Sequence, residues 1–243
     1  MTASLLYVCA RPQRDAAVAE WESFRDGLGV RSDELVHHDL VREPLPADLD
    51  RFAAVVVGGS PFNVTDPDKT DEQRRLECDL ERLAAAAMEG RTTAMFTCYG
   101  IGVVTRLLGG EVTLRHPEAT GPAAISLTRD GRADELFGLL APRFEALTAH
   151  KEAAARVPPG ATLLAENDLC PVQAYRAGVG LWATQFHPEP TADAFVARMR
   201  VYRDAGYFDA DAFDEVSAHV RTASVEQPTR LLRAFAARAV AAA

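Results

Sequence analysis

Residues 92–110, TTAMFTCYGIGVVTRLLGG, decide how the rest of the chain is read. A short apolar run ends at Thr97, and a helical pattern from about Tyr99 to Leu108 is closed by Gly109 and Gly110. A buried strand feeding a helix in this way is the repeating unit of a parallel sheet covered by helices. Cys98 stands at the junction, with Gly100 two residues on. A tight strand-to-helix turn would lift the thiol clear of the sheet, and the small glycine would let the backbone bend. The helix dipole and its free N–H groups would then stabilise a thiolate. Taken alone, the stretch supports two readings equally: a nucleophile, or a buried structural thiol.

Working outward, the first half alternates strand and helix. SLLYVCA (4–10), ELVHHDL (34–40) and FAAVVVGGS (52–60) read as strands, the last a continuous β-branched run ended by glycines. Residues 14–28 and 71–89 read as amphipathic helices. The second half offers short strands separated by turn residues: EVTLRH (111–116), AAISLT (123–128), RFEALTAH (143–150), ATLLAEN (161–167), CPVQAYRAG (170–178) and GLWATQF (180–186). The last two form a hairpin around Ala177–Val179. Helical patterns follow at 191–204, 211–222 and 228–242. The expected fold is therefore α/β: an open, mostly parallel sheet flanked by helices, flavodoxin-like, over residues 1–205. A helical C-terminal extension, 206–243, is expected to pack on the same domain, with a homodimer through it left open.

Composition narrows the function classes. The 243 residues are 48% hydrophobic and 25% charged, ordinary for a globular enzyme-sized chain. A formal charge of −9 and the lack of any basic run argue against a nucleic-acid partner. No stretch is apolar for long enough to span a membrane, and the N-terminal run is too short for a signal peptide, so a cytoplasmic location is expected. Cys9, Cys78, Cys98 and Cys170 are scattered without close pairs, which fits neither a disulfide framework nor a thiolate metal site. His37 and His38 read as structural or exposed, and His116, ahead of a proline, as a strand end or a residue lining the site.

Two further stretches carry chemistry. In TQFHPEP (184–190) a strand delivers His187, and Glu189 projects to the same side if the chain stays extended. A carboxylate beside an imidazole fixes its tautomer and stabilises the imidazolium; the alternative is a solvated loop. In VVVGGSPF (55–62), Gly58, Gly59 and Ser60 follow a buried strand, where backbone N–H groups can face a crevice and receive an oxyanion; the alternative is an ordinary turn. All three stretches lie at the carboxyl ends of predicted strands, which share one edge of a parallel sheet. Together they make a complete acyl-transfer set of nucleophile, oxyanion loop and His–Glu pair.

The order strand-Gly-Gly, then Cys-Tyr-Gly after a strand, then QFHPE resembles the class I glutamine amidotransferases, the Cys-His-Glu group that includes the amidotransferase domain of GMP synthase. The resemblance runs from about residue 3 to 200 and takes in TAHKE (148–152) and VPPGATLLAENDLCPVQAYR (157–176). It implies Cys98 as nucleophile, His187 as general base and acid, Glu189 as its orienting carboxylate, and Gly59 and Tyr99 as oxyanion-hole N–H donors. Gly58, Ser60, Gly102 and His150 would line the substrate pocket, with no metal or cofactor needed. The family elbow reads Gly-x-Cys-x-Gly-x-Gln; here Phe96 stands at the first glycine and Gly102 at the glutamine that helps hold the substrate. Three functions stay open at this point: a subunit feeding ammonia from glutamine to a separate synthetase, a free-standing hydrolase of γ-glutamyl amides, and a binding protein that kept the fold without turnover.

Overall fold

In the computed structural model, which describes residues 4–242, the buried runs line up in one nine-stranded sheet. In chain order the elements are β1 (Leu5–Cys9), α1 (Arg14–Leu28), β2 (Leu35–Asp39), β3 (Ala54–Val57), α2 (Asp71–Met88), β4 (Ala94–Thr97), α3 (Tyr99–Leu107), β5 (Val112–Thr113), β6 (Glu118–Leu127), α4 (Arg129–Ala133), β7 (Arg143–His150), β8 (Ala153–Ala154), β9 (Ala161–Glu166), β10 (Ala174–Ala177), β11 (Leu181–Thr184), α5 (Ala192–Val201), α6 (Phe213–Val220) and α7 (Glu226–Ala242). The sheet order is β2-β1-β3-β4-β11-β10-β9-β6-β7, with β5 and β8 forming a separate pair. The five strands from β2 to β11 are parallel, and the remaining four continue antiparallel.

Alternate residues of the central strands serve opposite faces, as a pleated strand buried on both sides requires. Leu6, Val8, Val55, Val57 and Phe96 pack under α2 and α3 with Leu76, Leu80, Leu83 and Val103. Leu5, Tyr7, Val56 and Met95 face the other way, onto Phe24 and Leu28 of α1 and Leu231, Leu232 and Phe235 of α7. The C-terminal helix thus closes one face of the sheet. Among the described residues, no helix is long and apolar enough to cross a membrane.

Several boundaries differ from the sequence reading. EVTLRH contributes only the two residues of β5, and β6 begins at Glu118, five residues before the expected start, passing through Gly121 and Pro122 with a register shift. CPVQAYRAG is a regular strand only over Ala174–Ala177; before it, Asn167 folds the segment back, its Oδ1 accepting from the Leu169 and Cys170 N–H groups.

Candidate active site

The carboxyl ends of β3, β4 and β11 meet at one edge, and the backbone there sets each side chain. Cys98 follows β4 at φ 50° and ψ −104°, the one non-glycine residue with positive φ among those described. Such a conformation costs on the order of 1–3 kcal/mol and persists only where the surroundings enforce it. Here the Cys98 N–H is donated to Thr184 O of β11 at 2.8 Å, and Ile101 N returns to Cys98 O at 3.1 Å. Gly100 is required by its neighbour: a Cβ there would sit 3.0 Å from Phe96 Cβ, so Phe96 is tolerated because residue 100 has no side chain. Tyr99 opens α3 with no side-chain cap, which leaves the first-turn N–H groups unclaimed by a capping side chain. Its hydroxyl is drawn away to Glu77 Oε1 at 2.8 Å.

β11 delivers His187. Thr184 Oγ1 turns the chain by donating to Phe186 O at 2.9 Å, and the His187 N–H is fixed on Leu147 O of β7 at 2.9 Å. The ring's Nδ1 lies 2.9 Å from Glu189 Oε1. Burial would push the His187 pKa down, but the Glu189 carboxylate and the Cys98 side chain outweigh it and hold the group at about 9. Burial likewise works against the Glu189 charge, yet His187 and Arg198 keep its carboxyl well below the usual range. Cys98, on the verge of full burial, and His187 meet below Gly59: a Cβ on that glycine would lie 2.9 Å from His187 Cε1 and 3.5 Å from Cys98 Cβ.

Two small cavities adjoin at Cys98, of about 40 and 20 Å³, room for a few waters. The larger is lined by His187, Phe195, Tyr202 and Phe208, the smaller by Tyr99, Gly102, His150 and Glu152; Ser60, Cys98 and Tyr207 face both. Not every expected lining residue behaves alike. Gly58 reaches neither cavity: its N–H goes to Val8 O at 3.1 Å, and the space a Cβ would need is filled by the Glu20 carboxylate. The Gly59 N–H, expected to face an oxyanion, is instead donated to Glu20 Oε1 at 3.2 Å, because that buried carboxylate is the acceptor at hand. At Gly102, which faces the smaller cavity, Val64 Cγ2 would lie 3.1 Å and Glu152 Oε1 3.5 Å from an added Cβ, so a larger residue there would press on Val64. Glu152 in turn ties down the 60–66 loop, accepting from Val64 N at 2.6 Å and Thr65 N at 2.9 Å.

A second Cys-His-Glu group exists. The ligand atoms of Glu118, His150 and Cys170 lie within 4.8 Å of one another. Both His150 nitrogens are engaged, Nε2 with Glu118 Oε2 at 2.8 Å and Nδ1 with Glu152 O at 3.0 Å. Asn167 and Gln173 also donate to Glu118. The Cys170 S–H donates a hydrogen bond to Val172 O at 3.5 Å, and burial pushes its thiol up to about 12. Cys170 lines neither cavity at Cys98, so the group reads as a satisfied polar brace beneath the pocket. His116 is bonded to Leu169 O at 3.2 Å and lines neither.

Sequence reasoning missed Glu20, Arg11 and Arg198, all buried next to the site, the two arginines lining the larger cavity with His187. Glu20 Oε1 accepts from Arg11 Nη2 at 2.7 Å and Arg198 Nη1 at 3.0 Å, and its Oε2 from Tyr7 OH at 2.8 Å. Glu20, His187 and Glu189 have the spacing of a cation site, but the two guanidiniums already supply positive charge to those carboxylates. One signal was available: Glu20 falls on the buried stripe of α1 with Ala16, Ala17, Phe24 and Leu28, and a lone carboxylate among core positions needs a partner.

The chain has relatives among known proteins. It is 31% identical over 163 residues to a glutamine-hydrolysing GMP synthase subunit from Ignicoccus hospitalis, covering 65% of this chain and 80% of that one. A GMP synthase from Christiangramia forsetii is 29% identical over 146 residues, 60% of this chain; there the match spans only 26% of the relative's length. Among solved structures, a glutamine amidotransferase from Thermotoga maritima superposes with a TM-score of 0.77 over 99% of both chains at 17% identity, a likeness of fold. The model of the family described as glutamine amidotransferase class-I matches residues 32–199, which takes in β3, the Cys98 turn and the His187–Glu189 pair, and by that match the chain belongs to this family.

Proposed function

We propose that the chain hydrolyses the γ-amide of glutamine through a γ-glutamyl thioester on Cys98, releasing glutamate and ammonia for a separate acceptor or synthetase. The observation that carries the reading is the strained Cys98 turn beside an imidazole whose far nitrogen is tied to Glu189 at 2.9 Å. Cys98 Sγ, as thiolate beside the His187 imidazolium, attacks the amide carbonyl carbon. Main-chain N–H groups at the start of α3, Tyr99 first, receive the developing oxyanion. His187 Nε2 gives its proton to the departing nitrogen as the C–N bond breaks. It then takes a proton from the water that attacks the thioester carbonyl, and the C–S bond breaks to return Cys98. The similarity to a GMP synthase subunit supports a partner synthetase.

A second reading rests on the pocket itself. Residue 102 is a glycine against Val64 and Glu152 where the family has its glutamine, and aromatic side chains of Phe195, Tyr202 and Phe208 line the His187 side, where a leaving amine would depart. Both features suit γ-glutamyl amides carrying a small substituent on nitrogen. The test is glutamate release from glutamine and from γ-glutamyl methylamide, ethylamide and anilide, by the wild-type chain and by Cys98→Ser. Turnover of glutamine favours the first reading and turnover of substituted amides alone favours the second. Equal release by both proteins overturns both.

A further inference from the structure

We propose that Glu20 and Arg198 are positioning residues of the Cys98 site, joined through Arg198 Nη1, so that a carboxylate from α1 sets the charge and orientation of the His187–Glu189 pair. The inference rests on the catalytic reading of Cys98, His187 and Glu189. Its own support is geometric. Glu189 Oε2 is buried without any hydrogen-bond partner, so the carboxylate is oriented entirely by the two donors on Oε1: His187 Nδ1 at 2.9 Å and Arg198 Nη1 at 2.7 Å. The same Nη1 reaches back to Glu20 Oε1 at 3.0 Å. One nitrogen therefore bridges the two carboxylates, and Glu20 Oε1 also takes Arg11 Nη2 and the Gly59 N–H. A single oxygen atom of α1 is tied to the strand edge above Cys98 and, through Arg198, to the base behind it.

Stability alone gives no reason for this arrangement. Desolvating ions is costly, and apolar residues of similar volume would serve a core as well or better. The chain instead spends a core position of α1 on Glu20 and keeps residue 58 as glycine, since any side chain there would collide with that carboxylate. The charges balance locally: Arg11 and Arg198 against Glu20 and Glu189, leaving the His187 imidazolium to face the Cys98 side chain. The groups around His187 are Glu189 on its own segment, Cys98 at the β4–α3 turn, Arg198 on α5, Glu20 on α1, Arg11 after β1, and Tyr202 and Tyr207 after α5. Taking away the Glu20 charge leaves Glu189 as the one carboxylate paired with Arg198, which weakens its hold on the imidazolium. Taking away Arg198 releases Glu189 to His187 alone.

The two changes should move His187 in opposite directions, which a merely structural brace would not do. The experiment uses the full-length chain with isotope-labelled histidine. It reads the His187 titration by NMR, with thermal unfolding and the kcat and KM for glutamine and the γ-glutamyl amides beside it. Glu20→Gln keeps an acceptor for three donors and a partner for Tyr7, so it tests charge at constant shape. We expect it to lower the His187 pKa by about one unit, and Arg198→Met to raise it by a similar amount. Each variant should reduce kcat roughly 10–100-fold with KM little changed, as loss of an alignment needed in the transition state requires. Arg198→Lys, whose one ammonium can span both carboxylates as Nη1 does, should recover most of both. Unchanged His187 titration and kcat in folded Glu20→Gln and Arg198→Met, or shifts of the same sign in both, would overturn the proposal. If Glu20→Gln does not fold, the Arg198 pair decides by the same criteria. A wild-type chain that hydrolyses none of the amides would sink the catalytic reading, while the opposite His187 shifts would still uphold the charge coupling.

Discussion

At the scale of single residues, the site is organised by how carboxylates and guanidiniums are arranged around one imidazole. His187 titrates at about 9 in the folded chain against an ordinary value near 6.5. A pKa raised by folding stabilises the protein fully below the unfolded value, and that stabilisation is lost as pH rises through the folded one. The His187 contribution, on the order of 3 kcal/mol, is therefore present up to about pH 6.5 and gone above about pH 9. Urea unfolding of wild type and His187→Gln across that window should show a stability gap that closes as pH rises; a gap independent of pH would contradict it. Gly102 makes a second residue-level case. Restoring the family glutamine by Gly102→Gln pushes its Cβ against Val64 and brings its side chain to Glu152. It should cost about 1–2 kcal/mol in thermal unfolding and leave the KM for glutamine no better, as overpacking predicts. A tighter KM would show that Val64 yields. The triad candidates were legible because each sits beside a conspicuous neighbour: Cys98 before a glycine-punctuated helix, His187 and Glu189 around a proline. Arg11 and Arg198 were not legible, since nothing in a single sequence tells a buried arginine from the many exposed ones.

At the scale of elements, local pattern and structure agree where one period dominates. The helix 14–28 and the strand 143–150 fall on the expected residues, α1 because its core-facing positions recur at helical spacing and β7 because Phe144, Ala146, Thr148 and His150 keep one face of the strand buried. They disagree at β6, where Gly121 and Pro122 read as breakers but are absorbed by a register shift between Glu118 and Gly121. The glycine pair after β3 was legible as a crevice, yet its reason was not: Gly58 makes room for a side chain from α1, 38 positions back in the chain. Gly58→Ala should accordingly destabilise the protein by at least about 2 kcal/mol and disturb the Glu20 bonds. Thermal unfolding checks this, and a neutral result would mean that Glu20 can move aside without loss. α7 carries an equally specific expectation. Phe235 is fully buried on the sheet, 6.4 Å centroid to centroid from Trp182, so Phe235→Ala should cost about 3–5 kcal/mol. A change below about 1 kcal/mol would show that the C-terminal helix is only loosely attached.

At the scale of the whole molecule, a sheet that is parallel on one side brings the ends of β3, β4 and β11 together, and the three signals read separately along the chain become one site. The antiparallel half contributes otherwise. It fixes His187 from β7, braces the pocket floor with His150 and Glu118, and holds the 60–66 loop through Glu152. Because two Cys-His-Glu groups result, the central claim is that Cys98, and not Cys170, attacks the amide. The most direct measurement is release of glutamate from glutamine and γ-glutamyl amides by wild type, Cys98→Ala and Cys170→Ala, each with intact-mass detection of a γ-glutamyl adduct. Loss of at least about 1,000-fold in rate and of the adduct in Cys98→Ala, with Cys170→Ala retaining both, is the predicted result. Retained turnover in Cys98→Ala, or its loss in a folded Cys170→Ala, would contradict the account.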